Sequence, residues 1–268
     1  MAGQRNVVAA SLVCAALVGG LTGCGGDKAD DAVIGSKLRP TASASTTAPT
    51  GLDALTARQI SDKAEATLKA LKAVRVEVVG ISDGKPLQLK ASMSTAGECA
   101  GAVSQDKQTM QFIGTHHTSY IKGNDSFWLD AGGKDGKAMV ELLHGKWMQV
   151  PGDAAKDEDL RSFCDLDSFF DEMSSDDTDG TFTKGAPTTV AGQPVVTIIQ
   201  KKAGESEKTT IYVAAQGEPY PLKVVVEGGD EPNTATLADF DKPVKAVAPP
   251  ASQTVDMSKF TDEGGKNV

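Results

Sequence analysis

The sequence predicts an α+β fold in which amphipathic helices cover the concave face of one large, curled antiparallel sheet. Alternation of apolar and polar residues recurs through residues 74–240, in segments too closely spaced for parallel crossovers. Gly, Asp, Asn and Pro separate these segments, while residues 57–71 and 157–173 follow a helical period instead. A sheet of about ten strands has to curl or close, so helices with apolar stripes are expected to cover it.

The composition excludes two classes of protein. The 268 residues include 27 Lys and Arg against 36 Asp and Glu, for a net charge of −9, and no basic block interrupts them. Such a chain repels a polyanion, which argues against a nucleic-acid partner. An apolar fraction of 40% is typical of globular proteins and excludes a chain that is disordered over its whole length. The low aromatic fraction, 5%, indicates a core built from Val, Ile, Leu and Ala.

The N-terminus has the pattern of a signal peptide. Arg5 precedes an apolar run at residues 7–20, which is too short to span a bilayer. The run ends in Leu21-Thr22-Gly23-Cys24, which resembles the bacterial lipobox, whose Cys is diacylated after removal of the preceding peptide. Acyl chains on Cys24, at about 0.8 kcal/mol per buried CH₂, would hold the protein on the outer face of the cell membrane. The alternative is an ordinary cleaved signal peptide with an incidental Cys.

The remaining cysteines predict a disulfide. Removal of residues 1–23 takes away Cys14 and leaves Cys24 as the anchor, together with Cys99 and Cys164. Because a signal peptide directs the chain to an oxidising compartment, we predict a Cys99–Cys164 bond, with two buried free thiols as the alternative. Closing this loop would stabilise the fold by about 4 kcal/mol, a structural and not a catalytic role.

Two segments have the composition of flexible chain. Residues 24–51 are rich in Gly, Ser, Thr, Ala and Pro and show no periodicity. We interpret them as a tether with a reach of about 30 Å between the membrane and a folded domain at residues 52–260. Residues 261–268 form a polar tail for the same reason.

The folded domain is predicted to begin with a helix. Thr56 and Gln59 form a capping-box pattern, and Glu65 and Lys69 are spaced for an ion pair. The apolar residues at helical spacing are Ile60, Ala64, Leu68 and Leu71.

The strands and a second helical segment follow. Ser82-Asp83-Gly84-Lys85 is predicted to be a hairpin turn. Cys164 falls in the second helical segment, residues 157–173, which we interpret as one helix or two short ones tied to the sheet by the disulfide. The predicted strands are residues 74–78, 87–93, 110–114, 119–122, 126–129, 146–150, 181–186, 194–201, 209–215, 222–227 and 236–240.

Patterns of enzymes and metal sites are incomplete in this chain. Gly80-Ile-Ser-Asp-Gly84 matches Gly-x-Ser-x-Gly, but an alternating strand follows where a nucleophile elbow needs a helix. Residues 175–186 fit the middle of a calcium loop and fail at its first and last positions. His116, His117 and His144 lack zinc-site spacing and are interpreted as solvated or capping residues. We therefore predict a protein that is not an enzyme, with no catalytic residues, metal or cofactor.

Two further segments carry a family resemblance. Tyr120-Ile-Lys-Gly-Asn-Asp-Ser-Phe-Trp128 and Gly145-Lys-Trp-Met-Gln-Val-Pro151, together with the lipobox, tether and first helix, resemble the LolA-like lipoproteins. The most similar type is the LppX/LprG-type lipoprotein of high-GC Gram-positive bacteria. The resemblance covers roughly residues 52–260 and rests on the order of features, not on an invariant site motif. It implies an open half-barrel with helices over its mouth and a cavity that binds lipids or lipidated molecules.

The resemblance implies an extracytoplasmic carrier or sensor of a hydrophobic ligand, which we predict to be a monomer anchored to the membrane through Cys24. Its cavity is predicted to be lined by Leu68, Leu71, Val76, Leu89, Phe112, Phe163 and Phe170. The alternative is a non-catalytic structural or protein-interaction lipoprotein of the envelope, with a filled core, an unidentified protein partner and no small-molecule ligand.

Overall fold

A single mixed sheet dominates the computed structural model of the chain, which describes residues 51–115, 118–151, 164–173, 180–202, 204 and 206–257. The helices are α1 (Ala57–Lys69), α2 (Asp125–Ala131), α3 (Gly136–Leu143) and α4 (Leu166–Met173). The strands are β1 (Ala73–Ser82), β2 (Lys85–Ser94), β3 (Cys99–Gln105), β4 (Gln108–Gly114), β5 (Thr118–Gly123), β6 (Trp147–Pro151), β7 (Thr181–Lys184), β8 (Thr188–Val190), β9 (Gln193–Lys201), β10 (Lys208–Ala214), β11 (Pro221–Glu227), β12 (Asn233–Ala238) and β13 (Thr254–Asp256).

The sheet consists of two meanders that meet in its centre. Its order is β13-β6-β5-β4-β3-β2-β1-β12-β11-β10-β9-β7, and β8 also pairs with β9. Every pairing is antiparallel except that of β13 with β6, which is parallel. The two ends of this order do not pair with each other, so the sheet is open. The predicted fold class, a large open antiparallel sheet with a few helices, is confirmed in a mostly antiparallel sheet, although the described residues form 13 strands where about ten were expected.

Local signals place the first elements as predicted. Gln59 N donates to Thr56 Oγ1 at 3.2 Å, and Thr56 N donates to Gln59 Oε1 at 2.9 Å, so the capping box is formed. Lys69 pairs with Glu65 at 2.8 Å. In the β1–β2 turn, Asp83 and Gly84 both have positive φ, 51° and 70°, which is the geometry of a two-residue hairpin loop.

The prediction of a strand at residues 126–129 is wrong, because these residues belong to α2. The Asn124 side chain accepts from Phe127 N at 2.9 Å and so caps the first turn. Asn124 Nδ2 also donates to Lys107 O at 2.7 Å, which ties the helix start to the β3–β4 turn. Phe127 and Trp128 are adjacent large apolar residues, which a helix can place together toward a core more readily than a half-buried strand can.

The predicted disulfide is confirmed. Cys99, at the start of β3, is bonded to Cys164, two residues before α4, with a Cα–Cα distance of 5.3 Å. Gly114 lies opposite Cys99 in the ladder, and a Cβ there would lie 2.6 Å from Cys164 Sγ. The glycine therefore leaves the space that the bond occupies. Residues 166–173 of the second helical segment are helical as predicted.

Several predictions fall on residues outside the described part of the chain. They are the signal peptide at residues 1–23, Cys24, nearly all of the tether, residues 157–163 of the second helical segment, His116, His117, Phe163 and the tail at residues 261–268. None of the described helices is long and apolar enough to cross a membrane.

Candidate ligand-binding face

The strand register aligns the inward-facing side chains of the sheet into rows that run across the strands. One row crosses β12, β1, β2, β4 and β5, with Gly101 of β3 beneath the Phe112 ring. We call it the buried row, since its side chains are almost completely covered: Leu237, Val76, Ala91, Phe112 and Ile121. This row forms the floor of the main hydrophobic cluster.

The next row toward the hairpin turns is also apolar but is only partly covered. We call it the half-buried row, and it consists of Ile211, Val224, Val78, Leu89 and Val103. Ala235 connects Val224 to Val78 in register, so the row runs from β10 to β3 without interruption. At its two ends it meets the buried residues Ile198 and Met110.

The row beyond, at the edge nearest the turns, is mostly polar. Its polar members are Gln200, Thr209, Asn233, Gln105 and Gln108, and its apolar members are Leu87 and Val226. The concave face thus passes from a buried apolar floor through a half-buried apolar strip to a polar rim. Ligand pockets in proteins have this construction, an apolar wall with a few polar groups at its margin.

The helices form two packed regions on this face of the sheet. On one side α1 places Ala57, Ile60 and Ala64 against Ile198 of β9 and Val213 of β10. On the other side α2, α3 and α4 contribute to the main cluster with Trp128, Leu143, Leu166 and Phe170. Four side chains of the half-buried row, those of Val78, Leu89, Val103 and Val224, pack against the main cluster, and Ile211 packs against the cluster under α1, while all five keep part of their surface exposed.

The structure brings most of the predicted lining residues into one cluster. Leu71, Val76, Phe112 and Phe170 are buried in the main cluster, and Leu68 and Leu89 pack against it partly buried. Only Leu89 belongs to the half-buried row, and Phe163 lies outside the described residues. That these residues line a cavity stays a prediction. Sequence reasoning missed Val78, Val103, Ile211 and Val224 as a set, because only the strand register aligns them.

An ion-pair cluster lies on the opposite, outer face of the sheet. Arg75 Nε donates to Asp239 Oδ2 at 2.7 Å, Arg75 Nη1 to Glu77 Oε1 at 2.7 Å, and Lys242 Nζ to Asp239 Oδ1 at 2.7 Å. The hydrogen bonds from Lys242 and Arg75 lower the pKa of Asp239 from 3.8 to about 2, and the bond to Asp239 raises the pKa of Arg75.

This cluster attaches the chain after β12 to the sheet. A cavity of about 300 Å³ lies between residues 242–245 and the outer face of β1–β3. Asp241 Oδ1 accepts from Lys72 N at 2.8 Å, and Tyr220 stacks on Phe240 at a ring-centroid distance of 4.1 Å. We assign the cluster a structural role, because its charged groups bond to each other.

The described residues contain no cluster of histidines or acidic side chains that could bind a metal ion. His144 is exposed and has a φ of 46° as the C-cap of α3. Nowhere within the described ranges do three His, Cys, Asp or Glu side chains converge as metal ligands.

The open sheet with helices over its concave face defines a LolA-like fold. The structure of LprF from Mycobacterium bovis is similar, with a TM-score of 0.51 and 16% sequence identity over 73% of this chain and 97% of LprF. Lipoprotein LppX from Mycobacterium tuberculosis aligns with a TM-score of 0.46 and 13% identity over 71% of this chain and 98% of LppX. No family model and no curated protein sequence matches the chain. At this identity the similarity to LprF shows a shared fold, in agreement with the resemblance found in the sequence.

Proposed function

We propose that this protein is a membrane-anchored extracytoplasmic lipoprotein that binds a lipid or a lipidated molecule on its concave face, as a carrier or sensor. The observation that carries the proposal is the half-buried row, an uninterrupted apolar strip below a polar rim. A filled core would cover these side chains, and a soluble polar ligand would need polar groups along the strip.

The dimensions of the strip fit an acyl chain. It crosses six strands from β10 to β3, and neighbouring strands lie about 4.8 Å apart, so it spans about 24 Å along the sheet. The hydrocarbon of one membrane leaflet is about 15 Å thick, half of the bilayer core. One extended acyl chain therefore fits along the strip with space to spare, and each CH₂ removed from water contributes about 0.8 kcal/mol.

A pair of neighbouring valines tests the binding face. Val78 belongs to the half-buried row, whereas Val79 follows it on the opposite face of β1 and is 54% exposed. We expect Val78→Asn to weaken the binding of methyl palmitate at least tenfold, because an amide in the strip loses its contact with water when the chain binds. Equilibrium titration measures this, with circular dichroism as the check on folding.

Val79→Asn is the matched control for this test. It makes the same chemical change on the outer face and should leave the affinity for methyl palmitate unchanged. Equal affinities for wild type and both variants would remove the concave face from the proposal, and no binding to any of the three would favour the protein-interaction alternative.

The proposed anchor rests on Leu21-Thr22-Gly23-Cys24, the lipobox-like segment that ends the apolar run at residues 7–20. Without the thiol of Cys24 no acyl chain can be attached, so Cys24→Ala should move the protein from the membrane fraction to the soluble fraction. The measurement is immunoblotting of fractionated cells, with Cys14→Ala as the control that keeps the membrane distribution. An unchanged distribution of the Cys24→Ala protein would contradict the anchor.

A further inference from the structure

Trp128 carries a buried hydrogen-bond donor that the protein itself does not use. Its side chain is 4% exposed, and its Nε1 is the only buried side-chain nitrogen or oxygen among the described residues that has no hydrogen-bond partner. Buried tryptophans usually find an acceptor for this N–H, because an unpaired donor in an apolar environment is unfavourable. A phenylalanine would supply an apolar ring at this position without that cost.

Pairings and ring contacts connect the β3 end of the half-buried row to Trp128 through β4 and β5. Val103, the last residue of that row, lies opposite Met110 on β4, and Met110 lies opposite Gly123 on β5. The Phe127 ring occupies the space above Gly123, where a Cβ would collide with it. Trp128 packs edge-to-face on Phe127 with a centroid distance of 4.8 Å and belongs to the main hydrophobic cluster.

The position of α2 at this end is held by polar contacts. Thr109 N donates to Asn124 Oδ1 at 3.3 Å, and Gln108 Nε2 donates to Asp130 Oδ2 at 3.1 Å. Asn124 is the N-cap of α2 and Asp130 lies within it, while both donors lie at the start of β4. The helix is thereby fixed beside the rim, and the indole of Trp128 is held with it.

We propose that the indole Nε1–H of Trp128 is the polar contact of the ligand-binding face and donates to an oxygen acceptor of the bound lipid. The inference rests on the proposed function and adds the chemical class of the ligand to it. An acyl chain lies along the half-buried row, and a carbonyl, hydroxyl or phosphate oxygen attached to it reaches the indole at the α2 end. The site then distinguishes an oxygen-bearing lipid from a plain hydrocarbon of the same length.

Two probes of equal chain length test this selectivity on the full chain. Methyl palmitate carries an ester carbonyl, and hexadecane carries no acceptor. Loss of one neutral hydrogen bond corresponds to about a three- to tenfold weaker affinity. We therefore expect Trp128→Phe to weaken the binding of methyl palmitate by that factor and to leave the binding of hexadecane unchanged. Trp147→Phe, at a half-buried position on β6, is the matched control and should change neither affinity.

The indole N–H itself provides a second measurement. The chain has two tryptophans, so the ¹⁵N-labelled Trp147→Phe protein gives one indole resonance, from Trp128. Methyl palmitate should shift this resonance downfield and slow its hydrogen exchange, and hexadecane should not produce that downfield shift.

The outcomes separate this inference from the proposed function. If both probes bind, but Trp128→Phe affects them equally or not at all and the indole resonance does not distinguish them, the inference is wrong and lipid binding stands. If neither probe binds to the wild-type chain, the proposed function fails and the inference fails with it.

Discussion

At the scale of single residues, covalent and ionic contacts fix segments outside the strands to interior strands of the sheet. The Cys99–Cys164 bond fixes the chain before α4 to β3, and Asp239 fixes the chain after β12 to Arg75 on β1. Asp239 and Asp241 both adopt positive φ, 54° and 55°, on either side of Phe240. Their side-chain hydrogen bonds offset the cost of this backbone conformation.

Removal of the disulfide should destabilise the fold. The bond links residues 65 positions apart, and closing a loop of this length stabilises the folded state by about 4 kcal/mol. We expect the double variant Cys99→Ala with Cys164→Ala to lose about that much free energy of unfolding in guanidinium titration. Wild type treated with a reductant should shift toward the variant, and the variant should not respond to the reductant. A wild-type protein with two free thiols would contradict the bond.

Asp239 should make the stability sensitive to acid. Its pKa of about 2, below the usual 3.8, means that the folded state favours the carboxylate. The associated stability is present above pH 4 and is lost as the pH falls through about 2. Between pH 4 and pH 2 we expect the midpoint of urea unfolding of wild type to fall more than that of Asp239→Asn.

The control for this titration is Asp230→Asn, in the exposed turn between β11 and β12. It should show the same acid dependence as wild type. If Asp239→Asn also follows wild type throughout this range, the ion-pair cluster does not contribute to the pH dependence.

The disulfide could be predicted from the sequence, because its prediction depends on few observations. The pairing of Cys99 with Cys164 needed only the compartment and the number of cysteines left after processing. The half-buried row could not be predicted, because Val78, Leu89 and Val224 become neighbours only through the registers of three strand pairs. A shift of one residue in any of these registers would turn a strand's side chains to the opposite face.

At the scale of elements, α1 connects two hydrophobic clusters. Its first turns pack Ile60 and Ala64 on β9 and β10, and Leu68 near its end packs on the main cluster. The helix therefore covers one side of the concave face, and its stability depends on the capping box as well as on burial.

Loss of the cap should weaken α1. Thr56→Ala removes the acceptor for Gln59 N, and we expect it to lower the free energy of unfolding by about 1 kcal/mol. Thr67→Ala is the matched control, because the Thr67 hydroxyl bonds to Lys63 O inside the same helix. That change should be neutral or slightly stabilising, since Ala is the better helix former. Thermal unfolding of both proteins measures the difference, and equal losses would contradict the role of the cap.

Elements were predicted correctly where their signal is local and were missed where it is not. The capping box and the Asp83-Gly84 turn are encoded in four adjacent residues each, and both are present. β3 contains Gly101 between two alanines and shows little alternation, so its strand state depends on pairing with β2 and β4. The short β13 pairs in parallel with β6 at the sheet edge, and three residues give too little pattern for prediction.

At the scale of the whole molecule, two meanders joined through β1 and β12 form one continuous concave surface. That pairing aligns the inward residues of β10–β12 with those of β1–β3, so the half-buried row exists only in the assembled sheet. The open antiparallel sheet with covering helices was predictable from strand spacing and helix patterns, and the resemblance in segment order implied the LolA-like fold. The packing of the helices decides which part of the concave face stays partly uncovered. The sequence alone does not show that packing.

The central claim is that this face binds a lipid in the cell. The most direct test is native mass spectrometry of the protein purified from its own host, followed by organic extraction and identification of any bound molecule. We predict a bound mass that extraction removes and identifies as a lipid with at least one oxygen acceptor, and that is depleted in Val78→Asn but retained in Val79→Asn. A protein that shows only its apo mass, also after incubation with a host lipid extract, would contradict the account.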